Sequence, residues 1–224
     1  MRPGSHCPAC GAPIGPLENV PVLSYLALRG RCRACRAPIS PRYPLVELAN
    51  ALLWVACFRR APSWADFAAG ALLSTLCLAL AWIDADFQIL PDVLTLPGLG
   101  AGLALSFFRG APSPRQAALG ALLGGGGLFL LGWVWSRLRR VDAMGLGDVK
   151  MLAMMGAFLG PAGMLAAVFF ASVIGSLAGA VLILSRRGSL KTAIPFGVFL
   201  AIGAVAAWFF AAPLVDRYRA LWPA

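Results

Sequence analysis

Seven apolar runs follow one another along most of this chain: 44–58, 67–83, 93–108, 117–135, 149–160, 162–185 and 194–214. In lipid every backbone N–H and C=O must be satisfied within its own segment, which restricts such runs to helices. Crossing the hydrocarbon takes about 20 helical residues. Most of the runs reach that length with their flanking residues; 149–160 is short and reads as a tilted or half-depth helix. Of the 224 residues, 60% are hydrophobic and 12% charged, where a soluble domain carries about 25% charged residues. Mean hydropathy is +0.80. The expected fold is an all-α polytopic membrane protein with about seven transmembrane helices, one of them short, in residues 44–224. A small polar module at residues 1–43 precedes them.

Glycine pairs four residues apart suit close helix contact: Gly120 with Gly124, Gly156 with Gly160, and Gly175 with Gly179. The run Gly124–Gly127 is expected to lie against a neighbouring helix. The first residues, Met1 to Arg42, are polar and rich in Cys, Pro and Arg, so no cleavable signal peptide is visible.

The formal charge of +10 does not make a nucleic-acid surface. The basic residues sit in short clusters between apolar runs, the distribution of topology-setting charges. With the N-terminal module in the cytoplasm and all seven runs crossing, 13 basic residues fall in inner loops and 6 in outer ones. The inner set is Arg2, Arg29, Arg31, Arg33, Arg36, Arg42, Arg137, Arg139, Arg140, Lys150, Arg186, Arg187 and Lys191. The outer set is Arg59, Arg60, Arg109, Arg115, Arg217 and Arg219, of which the Arg59–Arg60 pair counts against this orientation.

Nine acidic residues are present, and three of them fall in the stretch Asp84-Ala85-Asp86 to Asp92. Asp84 directly follows an uncharged run from Phe67 to Ile83, which sets it at a helix end and at the membrane boundary. A helix C-terminus disfavours a carboxylate, so an acid there points to a use. Asp148 follows Gly145-Leu146-Gly147 and precedes renewed apolar sequence, which makes it either an N-cap or a functional acid. Two runs separate Asp84 from Asp148, so both acids share one membrane face in either orientation. Two carboxylates at one interface can share a proton and do aspartyl-protease chemistry. Asp86 and Asp92 are rivals for the role, Asp92 reading better as the N-cap of the following helix.

Cys7-Pro8-Ala9-Cys10 and Cys32-Arg33-Ala34-Cys35 are two CxxC pairs separated by 21 residues. The spacing is close to that of a four-thiolate zinc ribbon, with a redox dithiol or a disulfide as the alternatives. A closed thiolate shell leaves the metal structural, not catalytic. Cys57 and Cys77 fall in apolar runs and read as small packed hydrophobes. A single histidine, His6, gives no serine or cysteine triad. A transporter or channel with ion-binding acids is the alternative class, but it leaves the cysteine pairs unexplained.

The same residues resemble the bacterial type IV prepilin peptidases over nearly the whole chain. The likeness runs through both CxxC pairs, Glu18-Asn19-Val20-Pro21 with Ser24-Tyr25-Leu26, and Arg42-Tyr43-Pro44-Leu45-Val46-Glu47. It continues in Ile83-Asp84-Ala85-Asp86, Leu90-Pro91-Asp92, Gly145-Leu146-Gly147-Asp148-Val149-Lys150 and Pro195-Phe196-Gly197. The GxGD element by itself is also similar to presenilin-type and signal-peptide-peptidase enzymes; the cysteine pairs separate these.

The resemblance implies an inner-membrane enzyme that cuts a short basic leader from prepilins and type II secretion pseudopilins, after a glycine, at the cytoplasmic face. It also implies methylation of the new N-terminus with S-adenosylmethionine. On the matching motifs the catalytic aspartates fall on Asp84 and Asp148, and Cys7, Cys10, Cys32 and Cys35 fall on a zinc-associated loop linked to methylation. The partners expected are prepilins, pseudopilins and membrane lipid, with no nucleic acid. No glycine-rich nucleotide loop follows a strand, so the sequence does not locate the methyl-donor site. Two departures stand out: the family usually has a membrane helix ahead of the cysteine module, and Phe87 stands where many relatives have histidine. Asp86, Asp92 and Glu18 are the acids expected to attract a basic leader.

Overall fold

The computed structural model describes residues 5–139, 145–185 and 195–221, with side chains of the last helix described as far as residue 211. Arg2, Arg140, Arg186, Arg187 and Lys191 from the charge count lie outside the described residues, as do Met144, residue 194 and the side chains of Arg217 and Arg219. The chain falls into two compact units, residues 1–56 and 57–224. The first holds a single 3-10 turn (Pro16–Asn19), the short helix α1 (Leu23–Ala27) and most of α2 (Arg42–Arg60), which runs across the boundary.

The second unit is built from α3 (Trp64–Phe87), α4 (Asp92–Leu105), α5 (Pro114–Ala121), α6 (Gly127–Arg139), α7 (Leu146–Leu184) and α8 (Phe196–Leu221). Each starts where the sequence supplies a helix signal. Ser63 caps α3 by accepting the Asp66 N–H at 3.1 Å. Ser113 and Gln116 form a reciprocal capping box ahead of α5, with Pro114 in the first turn. Such caps stabilise by about 1 kcal/mol each. α5 and α6 are joined by a π-helical turn, Leu122–Gly126, so 114–139 forms one continuous rod.

The 39 residues of α7 are not one rod. Gly160 takes φ 68 and ψ −179, open to glycine and hostile to other residues, and Pro161 then starts a new helix. The break divides α7 into 146–159 and 161–184. Its first half runs from the end of α3 that carries Asp84 to the end that carries Asp66: Gly147 lies against Leu90, and the Phe158 carbonyl faces Arg109. The second half runs back alongside α8, where Gly203 meets Ala167 and Ala171, and Gly175 meets Phe199. The seven apolar runs of the sequence thus correspond to seven helical segments, with 149–160 and 162–185 as the arms of this hairpin.

Small residues let these segments touch backbone to backbone. Gly120 and Gly156 face each other so closely that a Cβ on either would strike the other's backbone. Gly124 packs on the Leu152 backbone and Gly125 on Ala153, so the first half of the glycine run does lie on a neighbour. A Cβ on Gly127, by contrast, would meet open space. The core they enclose is made of Leu73, Cys77 and Leu80 of α3, Met151, Met154 and Phe158 of α7, and Leu200 and Ala204 of α8. Cys57 and Cys77 are fully buried, as small hydrophobes should be.

The apolar side chains that remain point outward: Phe129, Leu131 and Trp135 on α6, and Leu165, Phe169, Leu177 and Val181 on α7. Exposure of this kind is what a lipid-facing surface requires. Among the described residues, three helical stretches are long and apolar enough to cross a membrane: Trp64–Phe87, Pro114–Arg139 and Leu146–Leu184. Asp92–Leu105 and Phe196–Ala211 are apolar but shorter. At the end of α6, Arg137 and Arg139 lie over the rings of Trp133 and Trp135, a pairing of basic and aromatic residues typical of a membrane interface.

Gly156→Ala places a methyl group against backbone that has no rotamer to yield, at a cost of about 1–3 kcal/mol. Thermal unfolding in detergent should show a lowered midpoint for Gly156→Ala and an unchanged or raised one for Gly127→Ala.

Candidate active site and metal centre

Asp84 lies in the last turn of α3, which ends as Gln88 takes a left-handed conformation and returns its N–H to the Asp84 carbonyl at 2.9 Å. The residue is 5% exposed. Its carboxylate sits at the N-terminus of α8, where Val198 N–H donates to Oδ2 at 3.2 Å and the Gly197 amide donates as well. A helix N-terminus presents unpaired N–H groups and a favourable dipole to an anion. The unfavourable end of α3 is thus offset by the favourable start of α8.

Asp148 is the third residue of α7, inside the helix rather than at its cap, which is Gly145. It is half-buried, and its carboxyl group is close enough to Asp84 to interact with it through charge. Two glycines make this approach possible. A Cβ on Gly197 would lie 2.8 Å from Asp84 Oδ2, and a Cβ on Gly147 would lie 2.9 Å from Leu90 Cβ. Leu90, in the loop after α3, therefore packs against both glycine positions, at the starts of α7 and α8. The amides of α8 are the part of the site that sequence reasoning missed. The Pro195-Phe196-Gly197 motif was its only signal, and a backbone donor leaves no side-chain trace.

The rival acids lie elsewhere. Asp92 is the first residue of α4, after the cap Pro91, and both its oxygens are 2.7 Å from Lys150 Nζ. It is neither the N-cap expected nor an unpaired charge. Glu18 accepts the Gly15 N–H at 2.9 Å and pairs with Arg33 Nε at 2.6 Å. Two of the three acids expected to attract a basic leader, Asp92 and Glu18, are therefore paired with a cation, and the third, Asp86, is exposed.

In the N-terminal unit the four sulfurs of Cys7, Cys10, Cys32 and Cys35 lie within 4.8 Å of one another. Cys7 Sγ and Cys35 Sγ are 3.9 Å apart, where a disulfide would need about 2.05 Å. Four thiolates around an ion at about 2.3 Å would stand about 3.8 Å apart, so the donor set fits a tetrahedral metal centre.

The two halves of the centre repeat each other at an offset of 25 residues: Cys-Pro-Ala-Cys-Gly-Ala-Pro-Ile at 7–14 and Cys-Arg-Ala-Cys-Arg-Ala-Pro-Ile at 32–39. Cys7 N–H donates to Ala12 O and Cys32 N–H to Ala37 O, each at 2.9 Å. The residue after each second cysteine, Gly11 or Arg36, has φ of 72 or 61. In the first half, backbone N–H groups point at sulfur. The amides of Cys10 and Ala9 lower the Cys7 thiol to about 6. The Ala12 amide pulls Cys10 the same way, but the Cys35 thiol and burial hold it up at about 11.

Two other motif residues hold the backbone of this unit. Glu47 accepts the N–H of Val22, a β-branched residue at φ 62, at 2.8 Å. Tyr25 packs under Gly30, where a Cβ would lie 2.8 Å from its hydroxyl. Beside the thiols a cleft of about 670 Å³ is lined by Glu18, Tyr25, Tyr43 and Glu47 among others.

Residues 1–61 match the family model of the bacterial peptidase A24 N-terminal domain, and residues 71–180 match the type IV leader peptidase family. A prepilin leader peptidase/N-methyltransferase of Aeromonas hydrophila is 47% identical over 203 residues, covering 90% of this chain and 70% of the relative. Its namesake in Burkholderia pseudomallei K96243 is 44% identical over 212 residues, 94% of this chain and 68% of the relative. That of Pseudomonas aeruginosa is 42% identical over 207 residues, 90% and 70%. No solved structure matches the chain significantly.

Protein purified without chelator should hold one metal ion per chain by elemental analysis. Cys32→Ser should lower that content severalfold; equal metal in wild type and variant would place any ion elsewhere.

Proposed function

This chain belongs to the type IV leader peptidase family, and we propose that it is a membrane aspartyl endopeptidase with Asp84 and Asp148 as its catalytic pair. Its substrates are type IV prepilins and type II secretion pseudopilins, whose basic leader it removes at the cytoplasmic face of the inner membrane. It then methylates the new N-terminus, with S-adenosylmethionine as donor. All seven apolar segments cross the bilayer, and the peptidase domain begins at residue 44, after the cysteine module of residues 1–43. The observation that carries this reading is the pairing of two acids 64 residues apart in sequence, one of them buried on the amides of α8 and both close enough to interact through charge.

The chemistry follows from that pairing. Two neighbouring carboxyl groups do not both ionise readily, so they share a proton. The ionised member takes a proton from water as it attacks, while the protonated member hydrogen-bonds to the scissile carbonyl. An extended peptide is needed there, and a glycine at the cut lets the substrate helix open. The α8 amides fix the Asp84 carboxylate in one orientation without adding a positive charge that would hold both acids ionised. Exposed apolar faces on α6 and α7 supply lipid-side contact for an apolar substrate helix.

Zinc is the ion we assign to Cys7, Cys10, Cys32 and Cys35. Bound there it would fold a segment with almost no apolar core, and its closed shell leaves no position for water. The adjoining cleft, with carboxylates and tyrosines in its lining, has room for a donor of nucleoside size.

Asp84→Asn and Asp148→Asn should each lower cleavage of a prepilin peptide by about 10²–10⁴-fold with the protein still in the membrane. Mass analysis of the product reports leader removal and methyl addition together, and processing by either variant at the wild-type rate would refute the pair. Gly197→Ala leaves both acids in place but drives a methyl group onto the Asp84 carboxylate. It should cost about 10²-fold in kcat, the price of a displacement near 1 Å.

A further inference from the structure

Arg109 lies between α4 and α5, at the end of the second unit remote from Asp84. Its Nε is 3.0 Å from Asp66 Oδ1, its Nη1 donates to the Phe158 carbonyl at 2.9 Å, and its guanidinium lies 4.9 Å over the Trp208 ring. Both members of the ion pair are buried, with side chains 5% and 12% exposed. The three partners belong to three helices. Asp66 is on α3, which carries Asp84; Phe158 is on the first half of α7, which carries Asp148; Trp208 is on α8, whose first amides hold Asp84.

We propose that Arg109 is a positioning residue for the carboxylate pair, joining at one point the far end of α3, the far end of the first half of α7 and the middle of α8, the three helices that build the site. The inference rests on the peptidase reading above.

Rigid helices convert a fixed far end into a fixed near end. Asp66 is about 27 Å from Asp84 along α3, and Phe158 about 15 Å from Asp148 along α7. Over such lengths a few degrees of swing at the far end moves a carboxylate by about 1 Å, enough to cost about 10²-fold in rate.

The Phe158 carbonyl is available because Gly160 and Pro161 end the half-helix just beyond it, and a cation is the favoured partner for the last carbonyls of a helix. Trp208 is itself locked against Gly70 of α3, where a Cβ would lie 2.7 Å from its ring. A buried ion pair is a poor source of stability and a good source of specified geometry, because well-packed apolar residues can replace it without loss of stability.

That distinction makes the proposal testable. The double variant Asp66→Leu with Arg109→Met removes both charges together and avoids leaving either one buried alone; Arg109→Lys keeps the charge but not the fork. In bilayer discs, with a prepilin peptide as substrate, the double variant should keep its thermal midpoint and lose about tenfold or more in kcat with KM changed less than about twofold.

Arg109→Lys should fall between it and wild type. In Arg109→Ala, guanidinium at tens of millimolar should restore part of kcat, since a cavity of about 370 Å³ opens beside Arg109 and admits it; urea at equal concentration should not. A double variant with wild-type kcat overturns the proposal, as does an Arg109→Ala enzyme that guanidinium leaves unchanged. If Asp84→Asn is inactive while the double variant cleaves normally, only this inference falls. A wild-type protein without cleavage overturns the peptidase reading and this inference with it.

Discussion

Thirty-nine residues in a single helix would be about 58 Å long, about twice the hydrocarbon thickness. The turn at Gly160 is what prevents residues 146–184 from forming that rod. A glycine at positive φ followed by proline is among the few sequences that can end one helix and begin another with no loop between. Everything at the site follows from this reversal. It returns the chain to the Asp84 end, so that α8 can start there and present its amides. It also leaves the Phe158 carbonyl at the far end for Arg109.

In lipid there is little hydrophobic gain from bringing helices together, so packing depends on small residues and on polar ties. Both are present here in a definite division of labour. Glycine and alanine set the distances: Gly120 on Gly156, Gly203 on Ala167, and Gly197 under the Asp84 carboxylate. Polar groups set the registers: Arg109 with Asp66, Lys150 with Asp92, and Asp84 with Val198. The Lys150–Asp92 pair is partly exposed and contributes little to stability, under about 1 kcal/mol. Its effect is to join the start of α4 to the start of α7 beside Asp148.

Much of this was legible in the sequence, and what was not has physical reasons. The helical runs could be read because apolar length is a strong signal, including the short run 149–160, whose brevity reflects the break at Gly160. Asp84 and Asp148 stood out as charges at the ends of apolar runs, and counting crossings put them on one face. Asp92 was misread as an N-cap, and its ion pair with a residue 58 positions away leaves no local pattern. Sequence marked Asp148 as a cap candidate, but a helix boundary drifts by a residue or two, and it lies inside the first turn. The amides of Gly197 and Val198 were invisible because every residue but proline has one. Arg109 entered only as an outer-loop charge, since its three partners come from three separate helices.

The central claim is that Asp84 and Asp148 act on one substrate atom. A prepilin-derived peptide with a hydroxyethylene group at the scissile position mimics the attacked carbonyl, and an experimental structure of its complex measures the claim directly. The account predicts the hydroxyl within about 3.2 Å of a carboxyl oxygen from each aspartate. A bound peptide whose hydroxyl touches neither aspartate, or only one with the other turned away, would contradict it.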